Sequence, residues 1–126
     1  MKKKLLLKNE KYTIIKHDGN LIENLIHNYK NISEEDFRTI LGLNKIVKRN
    51  AYLKLLIDVG VFNNLSHYQI TSFIENEDDF VAFYGINNVQ LLEYKKAFRR
   101  VKHYGEVKFF RSREYAINWL LKANLS

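Results

Sequence analysis

The chain has no cysteine and no proline, and only five glycines among its 126 residues. Without cysteine there are no disulfides and no thiolate metal sites. Without proline there is no polyproline linker. The few glycines form neither a phosphate-cradling loop nor a dinucleotide-binding turn, and no Gly-x-Ser-x-Gly nucleophile elbow is present. Long apolar runs are also missing, since none approaches the roughly 20 residues of a membrane-spanning helix. Lys2–Lys4 followed by Leu5–Leu7 imitates the start of a leader peptide. That apolar run stops well short of the roughly 7–15 residues of a leader's apolar region. The expectation is a cytoplasmic protein that opens on an edge strand.

What is present describes a folded domain. Hydrophobic residues make up 46% and charged residues 28% of the chain, which is ordinary for a globular protein and argues against disorder. The length suits one domain, spanning residues 1–126. The net charge of +7 is unevenly placed: residues 94–126 carry nine basic and two acidic side chains, and residues 1–93 carry twelve of each. The whole excess lies in the C-terminal quarter, where it would attract an acidic partner.

Apolar patterning predicts the elements. Lys4–Leu7 and Tyr12–Lys16 read as short strands, the second β-branched and aromatic. Asp18–Gly19 suits a hairpin turn. Asn20–Asn28 reads as a strand with Leu21, Leu25 and His27 on one face and Ile22, Asn24 and Ile26 on the other. Neither face is purely polar, so the strand is expected to be covered on both sides or irregular. Ser33 caps a helix from about Glu34 to Arg49, with acidic residues in its first turn and Lys45, Lys48 and Arg49 in its last. Phe37, Ile40, Leu41, Leu43 or Asn44, and Val47 form its apolar stripe. Tyr52–Val59 suits a central strand. A second helix follows Ser66, with Tyr68, Ile70, Phe73 and Ile74 as its apolar positions, and Glu75–Asp79 reads as an acidic, solvated turn. Phe80–Tyr84 is a strand ended by Gly85. Asn87 or Asn88 caps a third helix with Leu91, Leu92, Tyr94 or Lys95, Phe98 and Val101 inward. Strand Val107–Phe110 and a last amphipathic helix complete the chain. The sum is an α/β domain with a mixed β-sheet: an N-terminal antiparallel hairpin, then βαβαβα with right-handed parallel crossovers.

Several blocks carry a family resemblance. Ile32–Phe37 resembles a helix start of Ser or Thr, acidic residues and an aromatic; Tyr52–Asp58 resembles a central strand that ends in Asp. Phe80–Gly85 and Val107–Leu121 resemble the last two strands and a helix closed by Ala116-x-x-Trp119-Leu120. In this order and spacing the chain is similar, over residues 12–122, to the SpoIIAA-like relatives of the STAS domain, the anti-sigma factor antagonist fold. The resemblance implies a non-catalytic module with a regulatory or carrier role. In partner-switching members a serine after the central strand is phosphorylated within an Asp-Ser-Ser-Gly-like turn. Here that stretch is Phe62–His67, with Ser66 the nearest hydroxyl and the flanking Asp and Gly absent.

Candidate sites follow from chemistry and placement. Ligands of open α/β sheets bind outside the carboxyl ends of parallel strands. That edge would carry Asp58, Asn63, Asn64, Ser66, His67, Asn87 and Asn88, a polar rim for an anionic or amphipathic ligand or a protein partner. Helix capping accounts for Asn63, Ser66 and Asn88 equally well. The four histidines show no metal-ligand spacing, and no cofactor motif is found. Glu34–Asp36 and Asp78–Asp79 read as capping and solvated charge rather than acid–base pairs. Lys95, Lys96, Arg99, Arg100 and Lys102 form a basic patch on the third helix. The patch is either its solvated face or a grip for nucleic-acid phosphates. Trp119 is expected to pack the last helix on the sheet with Ala116 and Leu120.

Overall fold

The computed structural model describes residues 3–18, 21–27, 32–47, 53–59, 72–73, 79–98 and 106–123. Among these, six strands and three helices follow in the order β1 (Lys3–Lys8), β2 (Tyr12–His17), β3 (Leu21–Ile26), α1 (Glu34–Val47), β4 (Lys54–Asp58), β5 (Phe80–Tyr84), α2 (Asn88–Phe98), β6 (Glu106–Phe109) and α3 (Arg113–Lys122). The strands form one mixed sheet whose spatial order is their order in the sequence. β1, β2 and β3 pair antiparallel, and β3 through β6 pair parallel. The hairpin turn at Gly19, the helix expected after Ser66 (apart from Ser72 and Phe73) and the residues after Phe98 up to Gly105 lie outside the described residues.

A sheet that grows in one direction by crossovers of one hand must put every connecting helix on the same face. The packing follows that rule. Phe37 and Ile40 of α1, Phe73 of the β4–β5 connection, and Leu91 and Tyr94 of α2 all meet one core with Ile22, Ile26, Leu55, Ile57, Val81, Phe83 and Phe109. Within it Phe83 stacks on Phe109 at 5.2 Å, and Tyr94 stacks on the same ring at 5.4 Å. The opposite face is left to α3. Its Ala116 and Leu120 are fully buried against Leu21, Leu56, Phe80, Ala82 and Tyr84. Trp119 packs at the edge of this second core, 6.2 Å from Phe80 and 6.0 Å from Phe110, with Lys108 over its ring at 5.6 Å. The expected role of Ala116, Trp119 and Leu120 is therefore met.

β3 is covered on both sides, so its mixed faces are explained: Leu21, Ile22, Glu23, Asn24 and Ile26 are all buried. On the α1 side Asn24 and Asn44 close a reciprocal amide pair, Nδ2 of each donating to Oδ1 of the other at 3.0 and 2.8 Å. This satisfies both buried amides and fixes α1 in register. Ser33 caps α1 as expected: its hydroxyl accepts from Asp36 N–H at 3.1 Å, and the Asp36 carboxylate accepts from Ser33 N–H at 3.1 Å. Lys11 adds an ion pair to Asp36 at 2.9 Å. The lysine is held above its usual pKa and the carboxyl below its own, each chiefly by their hydrogen bond.

Two expectations need correction. Asp79 is not part of a solvated turn. It is buried and accepts the Leu53 N–H at 2.9 Å, tying the start of β4 to the start of β5. Leu92 is not on the inner side of α2, where Leu91 and Tyr94 face the core; it is 65% exposed. Leu92 follows Leu91 by one helical step of about 100°, which turns it out of the interface.

Candidate functional site

β3 carries the residue around which the site is built. Side chains alternate along a strand, so Glu23, between Ile22 and Asn24, faces α3. It is 1% exposed. A buried carboxylate needs partners for its lone pairs, and four donors reach it. His17 Nε2 donates to Oε1 at 2.9 Å from the neighbouring strand β2. Tyr84 Oη donates to Oε2 at 3.0 Å from the end of β5. Arg113, the first residue of α3, donates twice: Nε to Oε2 at 2.7 Å and Nη2 to Oε1 at 2.8 Å. With the bonds from His17 and Tyr84, that bidentate fork saturates an acceptor with about four lone-pair sites.

Electrostatics follow from this geometry. Burial alone would raise the Glu23 carboxyl; the bonds from Arg113, His17 and Tyr84 together outweigh it and hold the group below its usual range, hence ionised. Burial pushes the Tyr84 phenol upward, with the carboxylates of Asp58 and Glu23 adding to it, so the hydroxyl stays a donor. The hydrogen bond to Glu23 raises Arg113. The guanidinium is not sealed in, as its side chain remains 46% exposed.

The second part of the site lies where β6 runs into α3. Ser112 caps the helix, its hydroxyl accepting from Tyr115 N–H at 3.4 Å. Phe110 is tied to β5 and to the turn after it: its N–H donates to Phe83 O at 2.7 Å, and its carbonyl accepts from Ile86 N–H at 3.4 Å. Gly85, at φ 83°, turns the chain between these contacts, a conformation that glycine adopts without strain. The result is an open groove of about 560 Å³ lined by Leu91, Phe109, Phe110, Arg111, Ser112 and Tyr115. Its floor is apolar and aromatic, Arg111 and Tyr115 are exposed at its rim, and it sits at the carboxyl end of a parallel strand.

The residues singled out from sequence are only partly brought together. Asp58 ends β4 opposite Tyr84, its register partner. The Asn87 carbonyl accepts from Leu91 N–H at 2.9 Å, ahead of α2. Asn88 is the first residue of that helix. Both asparagines are exposed and neither lines the groove. Asn63, Asn64, Ser66 and His67 lie outside the described residues, as do Arg99, Arg100 and Lys102 of the basic patch. Lys95 and Lys96 are exposed in the last turn of α2. Sequence reasoning passed over Glu23, His17, Tyr84 and Arg113 as a group. One signal pointed to them: a carboxylate in the middle of a strand whose two faces are both largely apolar.

Among the described residues no cluster of three or more His, Asp or Glu side chains is placed to hold a metal ion, and no helix is long and apolar enough to cross a membrane. Compared with known proteins, the chain matches no family model, no curated protein and no solved structure.

Proposed function

We propose that the chain is a non-catalytic module of the SpoIIAA-like, STAS-like kind that binds a small anionic or amphipathic ligand, or a protein partner presenting such a group. The binding place is the groove between β6, α2 and α3. The observation that carries this reading is the position and lining of that groove. It lies at the carboxyl edge of the parallel strands, where open α/β sheets take their ligands. An aromatic floor of Phe109 and Phe110 stands beside a solvent-facing cation, Arg111. Such a lining takes an apolar body and pairs its acid group.

The test begins with native mass spectrometry of gently purified protein, followed by titration with the fluorescent amphipathic anion anilinonaphthalene sulfonate. A retained adduct, or saturable probe binding weakened by Arg111→Ala, supports the reading. A bare mass together with probe uptake indifferent to Arg111 rejects it. A phosphate on Ser66 would instead place the activity in the segment between β4 and β5. The exposure of Lys95 and Lys96 favours one competing reading, nucleic-acid binding by α2 and the basic residues that follow it. Counterion release would make that binding fall steeply with salt, and failure of duplex and single-stranded probes to bind at low salt would exclude it.

A further inference from the structure

We infer that the buried Glu23 cluster is the positioning device of the groove: through the fork of Arg113 it sets the first turn of α3, whose Tyr115, with the capping Ser112, lines the groove. The inference rests on the reading of that groove as the binding site. Three observations carry it. Arg113 lies between the lining residues Ser112 and Tyr115, within one helical turn. Two helical steps separate Arg113 from Tyr115, so they project from opposite sides of α3, and Arg113 reaches the sheet while Tyr115 stands 70% exposed. Of the apolar anchors of α3, Ala116 closes the first turn and Ile117, Trp119, Leu120 and Ala123 lie further along, so the two bonds at 2.7 and 2.8 Å add to that turn the direction that apolar burial lacks.

Glu23 itself cannot wander. It is held from β2 by His17 and from β5 by Tyr84, and its own strand lies inside the sheet. A rigid acceptor and a planar fork transmit position in two dimensions rather than one. Ser112 and Tyr115, which would meet a ligand beside Arg111, thus take their placement from a carboxylate 90 residues before the fork. Glu23 and Arg113 are positioning residues in this account, because neither lines the groove.

The test compares Arg113→Met, Glu23→Gln, Arg113→Lys and Asn44→Ala in the full chain, each measured for anilinonaphthalene sulfonate affinity, hydrogen exchange and urea stability. Arg113→Met keeps the aliphatic stem and removes the fork. It should weaken probe binding by about tenfold, a typical coupling between linked sites, and speed exchange of the 112–115 amides while the β4 and β5 amides stay protected. Arg113→Lys should restore part of the affinity. Asn44→Ala orphans the buried Asn24 amide on the opposite face of the sheet and leaves the Glu23 cluster intact, so it should lower stability yet leave probe affinity as in the native chain. Folded Arg113→Met and Glu23→Gln proteins that bind as the native chain does would overturn the inference. So would affinity losses that simply track stability across all four variants. If the native protein takes up no probe, the reading of the groove fails by itself. Exchange at residues 112–115 then decides the inference: selective acceleration in Arg113→Met sustains it, and unchanged exchange overturns it.

Discussion

The two faces of the sheet bury polar groups in different ways. On the α1 and α2 side the inclusion is neutral and small, two amides closed on each other between β3 and α1. On the α3 side it is ionic and joins β2, β3, β5 and α3 through one carboxylate. Chain connectivity accounts for the difference. α1 and α2 each run between parallel strands, so their place on the sheet is set by the crossover, and only the register of packing is left to choose. α3 follows β6 and bridges no two described strands. Its place on the sheet has to come from its own contacts, and a fork aimed at a fixed acceptor gives direction that apolar burial lacks.

The comparison can be broken at several points. The apolar face should be the costlier to damage. Phe83→Ala removes a ring that meets both Phe73 and Phe109 and should cost about 3–5 kcal/mol by urea denaturation. Glu23→Ala should cost about 3 kcal/mol, because it leaves the donors of His17, Tyr84 and Arg113 around a vacated acceptor. The half-exposed Arg113 can turn to water, which keeps the loss at the low end.

The faces should also differ with pH. The folded pKa of Glu23 lies below the unfolded value, so its contribution is complete above about pH 4.3. That contribution is lost as pH falls through the lower folded value. Acid titration of Glu23→Gln should lack this component, whereas substitutions at the amide pair should leave it in place. For Tyr84, raised in the folded state, the contribution is complete below about pH 10 and declines as pH rises beyond it.

Smaller effects sharpen the contrast. Asn24→Ala orphans the buried Asn44 amide and should cost about 1–3 kcal/mol, while replacing both asparagines by leucine should be close to neutral. A double replacement as damaging as the single one would show that the amide pair is more than a satisfied inclusion. Ser112→Ala should cost about 1 kcal/mol or less, given the cap's modest strength and the 3.4 Å length of its bond.

Much of the fold was legible in the sequence. The β-branched and aromatic content of Tyr12–Ile15, the apolar run before Asp58 and the sequence Phe80–Tyr84 bounded by Gly85 locate their strands to within a few residues. Ser33 with its acidic followers marks the start of α1. Local signals of this kind depend on neighbours a few positions apart. The site was not legible in the same way, because its bonds join residues 61 and 90 positions apart. A lone Glu in a strand reads as solvent-facing until the opposite helix is in place. The error at Asp79 has the same origin, since its partner, the Leu53 amide, is 26 residues earlier. The one local clue, a strand with no polar face, indicated burial of Glu23 without naming its partners. From sequence, the candidate ligand residues follow β4 and β5; the groove lies at the end of β6, because its walls depend on how α2 and α3 flank that strand.

The agreement between spatial and sequence order in the sheet has a consequence for biosynthesis. Synthesis delivers the chain from its N-terminus, and here each new strand emerges after the partner it pairs with. β1 to β5 can accrete without waiting for distant sequence. The Glu23 carboxylate and the apolar residues around it stay uncovered until Arg113 and α3 emerge, 90 residues after Glu23, so the charged fork marks the moment at which the nascent chain closes on itself.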